Sequence, residues 1–361
     1  MATIILNISS DPDQIFLTSQ LSVIRAHTDK PKIDVSLSCT GSNGPDPINL
    51  YSSTLYAFDG IVELTDAASI IEEYFRQHHR VIDTITVAFD TATVSFQALY
   101  CEYSLPDTFD AGSSLLLATT TQRVHQDSTV TIAYYSPLPD VPVTIKAVGH
   151  TLADDTIAAI TTTRSPLFAG NIAYFSVADI IQWAISDDGS HTPLRSVMYF
   201  ALEYAGTQKM FYIVPAAAYL TFSFRNIFNV SEYIDIVGDI VTKTDVSRDS
   251  TVCSGRLVQY DRAVTRTYEV TTEALTREEL PLFEQLLASH EIKIHLPDGS
   301  SHDILITDQT CEPSTSDEQL ANLKFTWRFA HTRPHIFSSA FDGIMPSRRR
   351  IFDDTFSPEY E

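Results

Sequence analysis

The sequence predicts a mainly β protein: tandem β-sandwich-like domains with a few short helices, followed by a third β domain with one helix packed on its sheet. Three observations lead there. Apolar and polar residues alternate with a period of two in segment after segment, which puts one set of side chains in a core and the other in water. Tyr (16) and Phe (20) far outnumber Trp (2) and Met (4), a balance that suits β surfaces. The chain has 361 residues, 44% of them hydrophobic, enough for two or three cores at roughly 150 residues per domain.

The first expected domain covers residues 1–106. It opens with Met1-Ala2-Thr3-Ile4-Ile5-Leu6-Asn7, a short apolar run without a basic start, which reads as an edge strand and not a signal peptide. From Lys32 to Cys39, the residues Ile33, Val35, Leu37 and Cys39 fall on one strand face. Gly41-Ser42-Asn43-Gly44-Pro45 has turn chemistry. Leu55-Tyr56-Ala57 and Ile61-Val62-Glu63-Leu64 then run into a helix through Ile70 and Ile71, with Thr65 as its cap. Ile85 to Phe89 and Val94 to Tyr103 supply further strands.

The second expected domain covers residues 107–217, after a connection from Leu105-Pro106-Asp107 to Gly112-Ser113. Its strands are Thr129 to Tyr135, Val141 to Val148, Ser196 to Tyr204 and Lys209 to Val214, with a turn at Asp187-Asp188-Gly189-Ser190. Leu167-Phe168-Ala169 and Ile172-Ala173-Tyr174-Phe175 lead into a helix that Ser176 caps, with Asp179 completing an approximate capping box. This segment matches the strand-into-helix segment of the first domain, Ile180 standing for Ile70. That spacing is about one β-sandwich domain and predicts a duplication.

Pro215-Ala216-Ala217-Ala218 joins a third domain, residues 218–338. Ile234, Ile236, Gly238 and Ile240 alternate along one strand, and Gly255 to Tyr260 supplies another. Val264, Arg266, Tyr268 and Val270 alternate with Thr265, Thr267 and Glu269. Thr276-Arg277-Glu278-Glu279 reads as a capping box with Thr276 as N-cap, although Pro281 delays the regular helix. Leu282, Phe283, Leu286 and Leu287 form the apolar helix face. A hairpin follows from Ile292, Ile294 and Leu296 through Pro297-Asp298-Gly299-Ser300. Leu323, Phe325, Trp327 and Phe329 then close the core by Ala330.

Charge narrows the partners. There are 24 Lys+Arg against 46 Asp+Glu, a net charge of -22. Tracking phosphates needs clustered cations, so no nucleic-acid partner is expected, and strong acidity disfavours anionic membranes. No apolar stretch approaches the about 18 residues of a membrane helix. The four cysteines form no Cys-x-x-Cys, and reduced, buried thiols are expected. Cys39 with Cys101 is the one pair placed in strands of a single domain.

Motifs for chemistry are lacking. The chain holds no His-Glu-x-x-His, P-loop, Gly-x-Ser-x-Gly or dinucleotide fingerprint. His78 and His79 diverge by about 100° on a helix, poor geometry for joint ligation. His290 and His295 read as surface residues. Glu72-Glu73 and Glu278-Glu279 are neighbours that diverge, and first-turn acids answer the helix dipole. Trp183 and Trp327 sit in apolar patterns and read as core. The sequons at Asn7 and Asn229 matter only in a secreted protein. The expectation is no catalytic residue, no cofactor and no metal site.

The segment 339–361 reads as an extended interaction tail. Arg348, Arg349 and Arg350 precede acids interleaved with Phe352, Phe356 and Tyr360. Disordered tails carry few aromatics, so these six residues are the expected contacts to a partner.

Tyr268-Glu269-Val270-Thr271-Thr272, Leu275-Thr276-Arg277-Glu278-Glu279 and Leu286-Leu287 resemble uncharacterised structural proteins of phages and prophages of Bacteroidales. So do Ile306-Thr307-Asp308 before Leu323–Phe329 and the closing Arg350-Ile351-Phe352-Asp353-Asp354-Thr355-Phe356. The resemblance covers residues 221–361 and contains no catalytic motif. It implies a tail-associated virion component, made in the bacterial host cytoplasm and forming a ring or connector. Its partners would be copies of itself and other virion proteins. The alternative expectation is a receptor- or glycan-binding β-sandwich module.

Overall fold

In the computed structural model the described residues are 3–8, 14–40, 47–103, 105, 109, 115–134, 142–164, 172–187, 189, 191–204, 206–214, 220–296, 299–311 and 322–330; the side chains of 260–263, 310 and 311 are outside the description. Among the described residues the protein is mainly β, with three short α-helices and four hydrophobic clusters, one in each of three units and one at their seam.

The first unit runs β1 (Ile4–Ile5), β2 (Ile15–Leu17), β3 (Ile24–His27), β4 (Lys32–Cys39), β5 (Ile48–Tyr56), β6 (Ile61–Leu64), α1 (Ala67–Gln77), β7 (Ile82–Phe89) and β8 (Ala92–Leu99). Five strands pair in the order β2-β8-β7-β4-β5, and β1-β3-β6 form a second sheet. On β4 the expected face is the buried one: Ile33, Val35, Leu37 and Cys39 are inside. Helix α1 buries Ala67, Ile71, Tyr74 and Phe75 against them.

The second unit runs β9 (Thr121–Val124), β10 (Thr129–Ala133), β11 (Val143–Thr151), β12 (Ile157–Arg164), β13 (Ile172–Ser176), α2 (Val177–Ile185), β14 (Leu194–Tyr204) and β15 (Thr207–Ile213). Its five-stranded sheet has the order β9-β15-β14-β11-β12, beside the pair β10-β13. This is the first unit's strand order. The matching extends to β2 and β9, each the first strand of its five-stranded sheet, which join the last strands β8 and β15 in parallel. The two similar segments read from sequence occupy the same place, β6 into α1 and β13 into α2.

The third unit runs β16 (Leu220–Arg225), β17 (Ser231–Ile236), β18 (Gly238–Cys253), β19 (Arg256–Thr272), α3 (Leu280–Ala288), β20 (Ile292–His295), β21 (Ser301–Cys311) and β22 (Leu323–Phe329). The strand order is β17-β16-β20-β21-β22-β19-β18. Only Val237 separates β17 from β18, yet they lie at opposite edges. The sheet must therefore roll until its edges meet. Strand β21 makes the other corner, pairing with β20 through Asp303 and with β22 from Ile304 onward. Leu282, Phe283 and Leu286 of α3 pack into this core with Phe222, Phe224, Phe325 and Trp327.

Several local expectations are corrected. Ile234 to Ile240 is two strands, because the chain turns a corner at Val237 and Gly238. Strand β8 stops at Leu99, where Tyr100 and Cys101 leave the sheet: Tyr100 N–H bonds Val81 O, and Cys101 N–H bonds Thr18 Oγ1. Helix α1 begins at Ala67, so its cap position falls on Asp66 and not Thr65. Helix α3 begins at Leu280, so Glu279 and not Thr276 is its N-cap. The Glu279 carboxylate instead reaches back to Thr276, accepting its N–H (3.0 Å) and its hydroxyl (2.9 Å). Ser176 does cap α2, accepting the Asp179 N–H at 3.3 Å. The turns or joins at 41–45, 188, 190, 215–218 and 297–298 lie outside the described residues.

Candidate assembly surface

Strands β18 and β19 form one hairpin closed by Ser254 and Gly255, with φ of 52° and 72°. Two central residues in the left-handed region make the turn whose twist matches that of its strands. At its base the hairpin belongs to the core: β19 pairs with β22 from Tyr268 to Thr271. Beyond Tyr268, among the described residues, β19 has no partner except β18. Arg256–Thr267 therefore project roughly 40 Å at about 3.3 Å per residue. Every described side chain from Lys243 to Gln259 is exposed, including Val246, Val252, Leu257 (76%) and Val258.

Such an arm is a physical anomaly in an isolated chain. A two-stranded hairpin is marginal in water, and both its outer edges offer unpaired backbone groups. Apolar side chains along it gain nothing until something covers them. A bulge at Asp249/Ser250 twists it locally.

The hairpin stands on a firmly joined base. The turn between β16 and β17 plugs into the seam of all three units. Phe228 and Val230 pack with Leu17, Leu99, Cys101, Leu116 and Ala133. Asn226 bonds the Phe228 and Val230 N–H groups through Oδ1, and donates from Nδ2 to Leu116 O (3.0 Å) and Glu232 Oε1 (2.6 Å). Asn229, fully buried with φ of 59°, donates to Phe75 O and Arg80 O at the end of α1. Lys209 and Glu232 form a buried ion pair at 2.9 Å, each side chain 1% exposed, and Glu232 also accepts the Ala118 N–H. Arg123 of the second unit pairs with Glu279 of the third at 2.5 Å. Asp235 accepts from the Ser128 hydroxyl, the Thr221 hydroxyl and the His125 N–H. Burial pushes its carboxyl above the usual range, against those hydrogen bonds and His125. A small cavity beside it is lined by His125, Asp235, Thr272, Glu279 and Phe283.

The six residues expected to make partner contacts, Arg348, Arg349, Arg350, Phe352, Phe356 and Tyr360, lie outside the described residues. The hairpin was the surface that sequence reasoning missed, although Ser254-Gly255 between two alternating stretches was a usable signal. Groups considered for chemistry do not converge. Glu73 bonds Gln77 and Arg76 on the surface, while Glu72 is half-buried. His79 Nδ1 lies 3.5 Å from Glu291 and His290 Nδ1 3.8 Å from Glu102, across the first–third seam. His295 is not a surface residue: it is half-buried, 2.7 Å from Ser223 Oγ, and burial lowers its pKa. Trp327 is core, and Trp183 packs partly buried against the second core. Cys39 and Cys101 are buried and free, whereas Cys253 at the hairpin end is exposed, against the expectation of burial. Among the described residues no group of three or more His, Cys, Asp or Glu is placed to hold a metal ion, and no helix is long and apolar enough to cross a membrane.

No family model matches the chain, and no curated protein matches it. Among solved structures, the tail of an empty GTA particle with C6 symmetry is similar over 32% of this chain and 96% of that one, at 9% identity and a TM-score of 0.23. The chicken CNTN1 FN1–FN3 domains are similar over 76% of this chain and 88% of that one, at 7% identity and a TM-score of 0.13. At those scores neither likeness bears on function.

Proposed function

We propose that this protein is a non-enzymatic structural part that associates with copies of itself through the β18–β19 hairpin. The projecting hairpin carries the reading: its edges and exposed Val and Leu side chains need a cover that the described residues of this chain do not provide. The sequence resemblance over 221–361 supports a tail-associated virion component, built into a ring or connector with its copies and other virion proteins. The net charge of -22 argues against nucleic-acid and anionic-membrane partners. The segment 339–361 supplies a second contact through its cations and aromatics.

The test is molar mass by light scattering. Thr242 and Tyr268 are register partners, so Lys243–Thr267 can be replaced by a two-residue Asn-Gly turn. The intact chain should form a defined oligomer and the trimmed chain a folded monomer. Equal mass for both would remove the hairpin from assembly. A chain ending at Pro346 tests the tail separately.

One observation favours receptor or glycan binding as a second reading. Tyr56 and Phe58 of the first unit are 77% and 87% exposed, as stacking platforms are. Loss of glycan-array binding in a Tyr56→Ala/Phe58→Ala variant, with assembly intact, would support it.

A further inference from the structure

The hairpin has two unlike sides. Strand alternation carries the core stripe of Ile240, Tyr268 and Val270 outward on one side as Val246, Arg248 and Val252. The other side presents Asp245 and Asp249. Arg248 stands in register with Arg262, and Asp249 with Asp261. Asp245 and Asp249 thus lie on the face opposite Arg248: one side offers a cation among apolar residues, the other offers carboxylates.

We infer that the Arg248 side of each hairpin is covered by the Asp245/Asp249 side of the hairpin of a second copy, making the contact heterologous. This rests on the hairpin-mediated self-association proposed above. A two-fold contact of the Arg248 sides would set Arg against Arg and leave the carboxylates uncompensated. A head-to-tail contact places Arg248 of one copy against the Asp245 and Asp249 carboxylates of the next. Val246, Val252 and Leu257 supply the apolar area that charge alone lacks. Head-to-tail contacts generate rings when the rotation closes.

The experiment uses the full chain carrying Arg248→Glu, Asp249→Arg or both, at exposed positions, with thermal unfolding as the folding control. Self-association is measured by sedimentation over a concentration series. Each single substitution should weaken it about tenfold or more, because like charges then meet across the contact. The double variant should recover most of the loss, since the reversed charges still face each other. Raised salt should weaken the native contact. Unaffected single variants, or a double variant weaker than either single one, would overturn the inference. If trimming the hairpin abolishes assembly while the charge variants behave in that contrary way, only the sidedness falls. If the intact chain is monomeric, or the trimmed chain assembles like it, the self-association reading falls and takes this inference with it.

Discussion

Asp235 sits half-buried between two units, held by Ser128, Thr221 and the His125 N–H. Its folded pKa is raised above the ordinary 3.8, chiefly by burial. A raised carboxyl pKa means that the folded state favours the protonated form. That contribution is fully present below the ordinary value and is lost as pH rises through the raised one. Asp235→Asn stays neutral throughout. Its stability relative to the native chain should therefore improve as pH rises from about 4, read from denaturant midpoints at several pH values; a pH-independent difference would mean that Asp235 is not perturbed. Glu279 offers a second contrast, because one buried carboxylate accepts from Arg123 and twice from Thr276. Thr276→Ala removes one hydroxyl bond and should cost about 1 kcal/mol. Glu279→Ala should cost about 2–3 kcal/mol, kept low because Arg123 retains some access to water. Equal losses would return the capping role to Thr276.

The corner between β17 and β18 depends on Gly238, where a Cβ would lie 2.1 Å from Thr271 O. Gly238→Ala should cost about 1–3 kcal/mol and disturb assembly, since the hairpin leaves the core there. Gly255→Ala at the hairpin end meets no atoms within 4 Å and strains only the left-handed turn, so it should leave the melting temperature of the core intact. Denaturation and light scattering on both variants separate the two effects. This corner also shows where the fold was legible. Strand β4 could be read to the residue because its inner face is wholly apolar. The β17–β18 corner was invisible because Ile236 and Ile240 line the same core, so the alternation runs on through a change of sheet edge. Strand β12 is Ala- and Thr-rich with few residues buried, and β2 and β9 are too short to show a period. The outer hairpin alternates Val with Arg and Ser. That pattern codes for no burial within one chain, so it looked like ordinary surface.

At the scale of the molecule, the three cores act together only if their seam holds, and a projecting hairpin transmits a defined geometry only from a rigid base. The seam is made of contacts distant in sequence, which is why no local pattern announced it. Asn229 had appeared as half of a sequon, yet it is fully buried and spans from the third unit to Phe75 O and Arg80 O in the first. Two substitutions divide its roles. Asn229→Gly keeps a residue at ease with φ of 59° and loses both side-chain bonds, leaving two carbonyls short of donors, at about 1–3 kcal/mol. Asn229→Asp is nearly the same size but sets a carboxylate against those carbonyls in a buried seam, which costs more than the missing bonds. Calorimetry of the native chain should show one cooperative transition. In Asn229→Asp the first unit, no longer held at the end of α1, should unfold in a separate, earlier transition, while Asn229→Gly shifts the single transition downward. One unchanged transition in the Asp variant would show that the apolar contacts of Phe228 and Val230 hold the seam without Asn229. The units would then be coupled by packing alone.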